Sequence, residues 1–224
     1  MNLLVAGLVL AALMPVGPLP EASPDSASPP SVCILPLGKY DRSLLLPAVR
    51  GVKAVYSLPV RVLEKQSLPK SAWYAPRGRY RAEKLLAFLD EEAPADCTAM
   101  IGFTSVDIST TKGKSKDWGI FGLGQVGGKS CVVSTYRLGR NTSDKRKVTI
   151  RTIKVVNHEL GHVLGLLHCP TPKCMMNDAE GKISTVDNET GLLCDLCRKE
   201  IEERHEVKLP PMSEVDWNTL LKDD

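Results

Sequence analysis

The strongest periodic pattern of apolar positions lies in the second half of the chain. Across "SDKRKVTIRTIKVVNHELGHVLGLLH", Ile153, Val156, Leu160, Val163, Leu164 and Leu167 recur at spacings of three and four, which is one apolar face of a helix. Ser143 and Asp144 supply an N-cap. The β-branched run Val148–Ile150 predicts that the helix starts a few residues after that cap. A second, shorter helix is predicted where Leu85, Leu86, Phe88 and Leu89 form an apolar face, after a loop bearing Pro and Gly. Short apolar runs between turn signals predict strands: "SVCILPLG", then "KAVYSLPV" after a turn at Gly51, then "CTAMIGFTSVDIS" and "CVVSTY". Beyond Cys169 the pattern is irregular until "CDLCRKEIEERHEV", a short helix, and "KLPPMSEVDWNTLLKDD" is a docked or loose tail. Strands alternating with helices make this an α/β (α+β) domain.

The first thirty residues differ in kind. Leu3–Met14 is an unbroken apolar run ended by prolines and followed by a Pro/Ser-rich linker. It is shorter than the roughly 20 residues a spanning helix needs and fits the apolar region of an export signal. The expectation is an exported protein with no stable membrane span once mature, the alternatives being a cytoplasmic or membrane-anchored one. The chain therefore divides into a signal-like segment and linker (1–30), one domain of ordinary size (31–205) and a tail (206–224).

Charge changes the picture only by exclusion. A net charge of +3 is too small for a nucleic-acid footprint. The basic runs Lys112–Lys116 and Asp144–Lys147 read as solvated loops or a helix start, and aromatics are not interleaved with them. No nucleic-acid partner is expected, and a monomer is.

The chemistry is concentrated in "HELGHVLGLLHCPTPKCMM". His158 and His162 are four apart, so on a helix both imidazoles share a face and can reach one metal. Gly165 permits a turn of positive φ, after which His168 can return as a third ligand. Three nitrogen ligands leave a tetrahedral zinc with an open position, as in catalytic sites. Glu159 beside them is placed to take a proton from water and pass it to a leaving amine, which makes peptide hydrolysis the expected reaction. The alternative is a catalytically weak, zinc-stabilised peptide-binding module. Cys169, Cys174, Cys194 and Cys197 have knuckle-like spacings for a second, thiolate zinc, with two disulfides as the alternative in an oxidising compartment. Cys33, Cys97 and Cys131 read as buried small hydrophobes, with room for one disulfide among them. His205, in a charged run, reads as solvated.

"HELGHVLGLLH" is the HExxHxxGxxH signature of the metzincin metallopeptidases. Cys169 directly after His168, then Cys174, Met176 and the pair Cys194 and Cys197, make the chain resemble the archaemetzincins from about Val32 to Cys197. The resemblance implies a metzincin-like fold: a twisted mixed sheet, an active-site helix and a small zinc-stabilised C-terminal subdomain. It implies two zinc ions, a catalytic one on His158, His162 and His168 and a structural one on the four clustered cysteines. Glu159 would be the general base and Met176 the methionine beneath the metal. Gly128–Ser134 would be the edge strand lining the cleft, and the substrate a peptide or protein. Asp178 stands where some metzincins carry a tyrosine ligand.

Overall fold

Strand β1 (Val32–Pro36) is buried along its whole length, and its alternating side chains serve two cores. Val32 and Ile34 face one apolar cluster, and Cys33 and Leu35 the other. The computed structural model describes residues 31–211 and 214–222, so the export signal expected in residues 1–30 lies outside the described residues.

After β1 come α1 (Arg42–Tyr56), β2 (Val60–Val62), β3 (Trp73–Tyr74), β4 (Arg79–Arg81) and α2 (Ala82–Glu92). Then follow β5 (Ala99–Thr104), β6 (Ile108–Lys112), β7 (Ser115–Gly119), β8 (Gly122–Gly124) and β9 (Ser130–Ser134). The rest is helical: α3 (Lys145–Val163), α4 (Ile183–Asn188), α5 (Asp195–His205) and α6 (Trp217–Leu220). The main sheet has the order β2-β1-β5-β9-β8. Its pairs are parallel except for β8, which runs antiparallel to β9 at the edge. Helices α1 and α3 cover one face and α2 the other, as parallel strands buried on both sides require. A second sheet, β3-β4-β6-β7, carries the outer loops.

Several expectations are corrected. Lys53–Tyr56 is not a strand but the last turn of α1, and only Val60–Val62 is extended. Gly51 is not a turn. It lies inside α1 where a β-carbon would come within 2.5 Å of Ile153 Cγ2, so it is the point at which α1 and α3 approach. Asp41 caps α1 through Ser43 N–H, and Leu45, Ala48, Val52 and Val55 form its buried face. Helix α3 begins directly after Asp144, whose carboxylate accepts from Arg146 N–H at 2.9 Å. The cap and tertiary packing outweigh the β-branched residues. Leu167 is not on the apolar face: the helix has ended, and Leu167 is 68% exposed. The loop before α2 contains β3 and β4, and Lys112–Lys116 spans the tip of the β6–β7 hairpin, where Gly113 (φ 56°) and Lys114 make the turn between the paired Lys112 and Ser115.

Cys33 and Cys97 form a disulfide, while Cys131 is a buried free thiol. His205 is not free in solvent; its Nε2 lies 2.9 Å from Leu164 O. The tail is docked: Val215 and Leu220 are buried against Ile153, and Arg50 donates to the carbonyls of Leu220 and Lys222. No described helix is long and apolar enough to cross a membrane.

Candidate active site

Helix α3 ends in a Schellman turn. Leu166 N–H bonds Gly161 O and Gly165 N–H bonds His162 O, each at 2.9 Å, with Gly165 at φ 99°. The turn also aims a ligand, because Leu166 O lies 2.8 Å from His162 Nδ1. One turn earlier in the helix, His158 Nδ1 lies 2.7 Å from Met175 O. Facing a carbonyl, each Nδ1 must carry the proton, which leaves each Nε2 with a lone pair. These two Nε2 atoms face each other at 3.2 Å. Two acceptors at that distance repel unless a cation lies between them. A tetrahedral zinc with Zn–N of about 2.0–2.1 Å places its nitrogen ligands about 3.3 Å apart, so the pair fits that ion. His168 completes the group, with its ring 4.9 Å from that of His162 and 5.5 Å from that of His158. Its Nδ1 is 3.5 Å from Asp178 Oδ2.

Burial pushes His158 down to about 4, with His162 and His168 adding to the effect, and lowers His162 as well. Both imidazoles are therefore neutral, the form that binds metal. Glu159 is 7% exposed, and burial pushes its carboxyl up to about 8 against a hydrogen bond from Gly124 N–H. Strand β8 lies directly on it. A β-carbon at Gly122 would be 2.5 Å from Glu159 Cγ, and one at Gly124 would be 2.6 Å from Glu159 O. Met176 is fully buried beneath α3, its sulfur 2.6 Å from where a Gly161 β-carbon would stand.

The four clustered cysteines also meet. Cys169 Sγ to Cys194 Sγ is 3.6 Å and Cys174 Sγ to Cys197 Sγ is 3.8 Å. These separations are far beyond a disulfide of about 2.05 Å and match the edge of a tetrahedral thiolate site with Zn–S of about 2.3 Å. Burial opposes ionisation of Cys194, but hydrogen bonds from Cys197 N–H, Thr171 and Cys169 outweigh it and bring the thiol to about 7. Cys169 directly follows His168 and Cys174 directly precedes Met175, whose carbonyl faces His158, so two of the four cysteines adjoin the histidine site.

A cleft of about 340 Å³ runs past His158, His162, His168 and Glu159. Its edge strand is β8, not Gly128–Ser134: β9 is enclosed between β5 and β8. Residues that sequence reasoning missed are Gly122 and Gly124, and Lys154 with Glu189, all of which line the cleft. The signal for Lys154 was available, since it stands four before His158 on the same helical face.

Residues 39–203 match the family model described as Peptidase family M54. The archaemetzincin of Haloarcula marismortui is 31% identical over 181 residues, spanning 76% of this chain and 98% of its own. That of Pyrococcus horikoshii is 35% identical over 160 residues, spanning 68% of this chain and 82% of its own. Among solved structures, the archaemetzincin of Methanopyrus kandleri superposes with a TM-score of 0.70 at 27% identity, covering 81% of this chain and 98% of its own. That of Archaeoglobus fulgidus gives 0.65 at 26% identity, covering 76% of this chain and 99% of its own.

Proposed function

The chain belongs to peptidase family M54, and from that premise we propose that His158, His162 and His168 hold its catalytic zinc while Glu159 moves the proton. The protein is a zinc metallopeptidase acting on peptides. The observation that carries the assignment of ligands is the 3.2 Å approach of two Nε2 acceptors whose opposite nitrogens are each tied to a carbonyl. When bound, zinc supplies a Lewis acid that polarises the scissile carbonyl and acidifies water.

This chain's own residues supply the rest. Glu159 takes the proton of the attacking water on a carboxylate oxygen and delivers it to the leaving amine nitrogen. Gly124 N–H steadies the ionised carboxylate. Leu166 O and Met175 O fix the rings of His162 and His158. The outer edge of β8 offers backbone groups to an extended peptide. Glu159→Gln is expected to retain zinc and abolish turnover; full activity in that variant would refute the role of Glu159.

The cysteine quartet is the second zinc site in this reading, supported by Sγ separations that suit a tetrahedral ion and not a disulfide. Elemental analysis of the full chain should find two zinc ions. One zinc, with free thiols titrating at the quartet, would remove the structural site.

Export of a monomer through the signal-like segment is also proposed. The Cys33–Cys97 disulfide supports it, because such bonds persist in oxidising compartments. Cell fractionation that leaves the protein with cytosolic markers would reject it.

A further inference from the structure

Lys154, His158 and His162 form one column on α3 at spacings of four. That column and Glu189 line the cleft together. The side chains of Lys154 and Glu189 are each 6% exposed. Lys154 stands one helical turn, about 5.4 Å along the axis, from His158.

The two charges are not equivalent toward the cleft. Lys154 Nζ donates to Val186 O at 2.9 Å and to Glu189 O, and stands 3.8 Å from Glu189 Oε1. The Trp217 ring lies 5.9 Å from it. Its three protons are thus directed at the protein's own groups. Glu189 Oε2 accepts from Gly191 N–H. Glu189 Oε1 is the third group that Lys154 Nζ faces, as an ion pair at 3.8 Å, and each carboxylate oxygen keeps a further acceptor position. A carboxylate has about four acceptor positions, so this part of the cleft lining has spare acceptor capacity on Glu189 while the Lys154 protons are already directed at the protein. Val155, Met175 and Val186 line the approach with apolar surface. That combination suits an aliphatic stem carrying a cationic tip.

We infer that the cleft selects peptides with a long basic side chain, lysine or arginine, next to the scissile bond, its head seated on Glu189. The inference rests on the peptidase reading above. Glu189 is then a specificity-determining residue, and Lys154 is the positioning residue that holds it.

The test uses the zinc-loaded full chain at pH 8, above the value of about 7 to which burial pushes Glu189. Quenched fluorescent peptides carry arginine, norleucine or glutamate at each of the two positions flanking the scissile bond. A charged hydrogen bond predicts a kcat/KM for arginine at one position at least about tenfold above norleucine. Glu189→Gln is expected to bring that ratio below about threefold. Norleucine or glutamate preferred over arginine at both positions overturns the inference, as does an arginine preference that survives Glu189→Gln. If Glu189→Gln does not fold, the unmodified protein's ratio alone decides. The same peptides are titrated calorimetrically onto zinc-loaded Glu159→Gln, where the arginine peptide should bind about tenfold tighter than norleucine. Absence of cleavage of every peptide counts against the peptidase reading. The binding ratio then decides whether the cleft is selective for basic side chains.

Discussion

Gly122 and Glu159 touch so closely that neither could be enlarged: a β-carbon on Gly122 would lie 2.5 Å from Glu159 Cγ and 2.6 Å from its Oε1. The edge strand of the sheet therefore doubles as the wall that holds the proposed base. Gly122→Ala should retain zinc, because no proposed ligand is touched, yet lower kcat roughly 10- to 100-fold by displacing the carboxylate. Zinc content and single-turnover rates measured together check this, and a variant with the parental kcat would show that the contact does not position Glu159.

Gly165 ends α3 at φ 99° and faces the Arg204 guanidinium, whose Nε would be 2.8 Å from an added β-carbon. Gly165→Ala costs about 1–2 kcal/mol in backbone strain alone, and Arg204 must also move. The same turn carries Leu166 O to His162, so zinc affinity should fall about 10- to 100-fold. Competition with a chelator of known affinity measures the loss.

Cys194→Ser should lower the Tm by roughly 10 °C while the catalytic zinc stays bound. The quartet ties Cys169 and Cys174 to α5, so its loss loosens the segment between His168 and Met176. An unchanged melting curve would argue against a metal there.

Arg151 is 2% exposed and forms a two-pronged pair with Asp187 at 2.7 and 2.8 Å, while also donating to Leu138 O and Arg140 O. Asp187→Asn leaves this charge buried without its counter-ion and should cost about 3 kcal/mol. Hydrogen bonding from Arg151 holds the Asp187 carboxyl below its ordinary value. In the folded state it stays ionised at a pH where the unfolded chain takes up a proton. Its contribution is thus complete above the unfolded value of about 3.9 and is lost as pH falls below that through the folded value. Urea midpoints of the two proteins from neutral to acid pH should converge at the acid end.

The metal-binding character of the chain was legible in its sequence because that information is local. His158 and His162 are one helical turn apart, and any helix over those residues puts them on one face. Gly165 could be read as a turn for the same reason. The short apolar run at Val32–Pro36 and the apolar face of α3 at spacings of three and four were legible for the same reason. The remainder required segments far apart in the chain to meet. Gly51 looked like a turn because nothing nearby shows that Ile153 will press against it. Gly128–Ser134 looked like the edge of the cleft because strand order depends on β8 adding outside β9. The partners of the two histidine Nδ1 atoms are backbone carbonyls, which every residue possesses, so no side-chain pattern marks Met175 or Leu166 in advance. The pairing of Cys33 with Cys97 needed β1 and the start of β5 to lie side by side. Local spacing specified which ligands could share an ion; long-range packing specified what aims them, what walls them and what else lines the cleft.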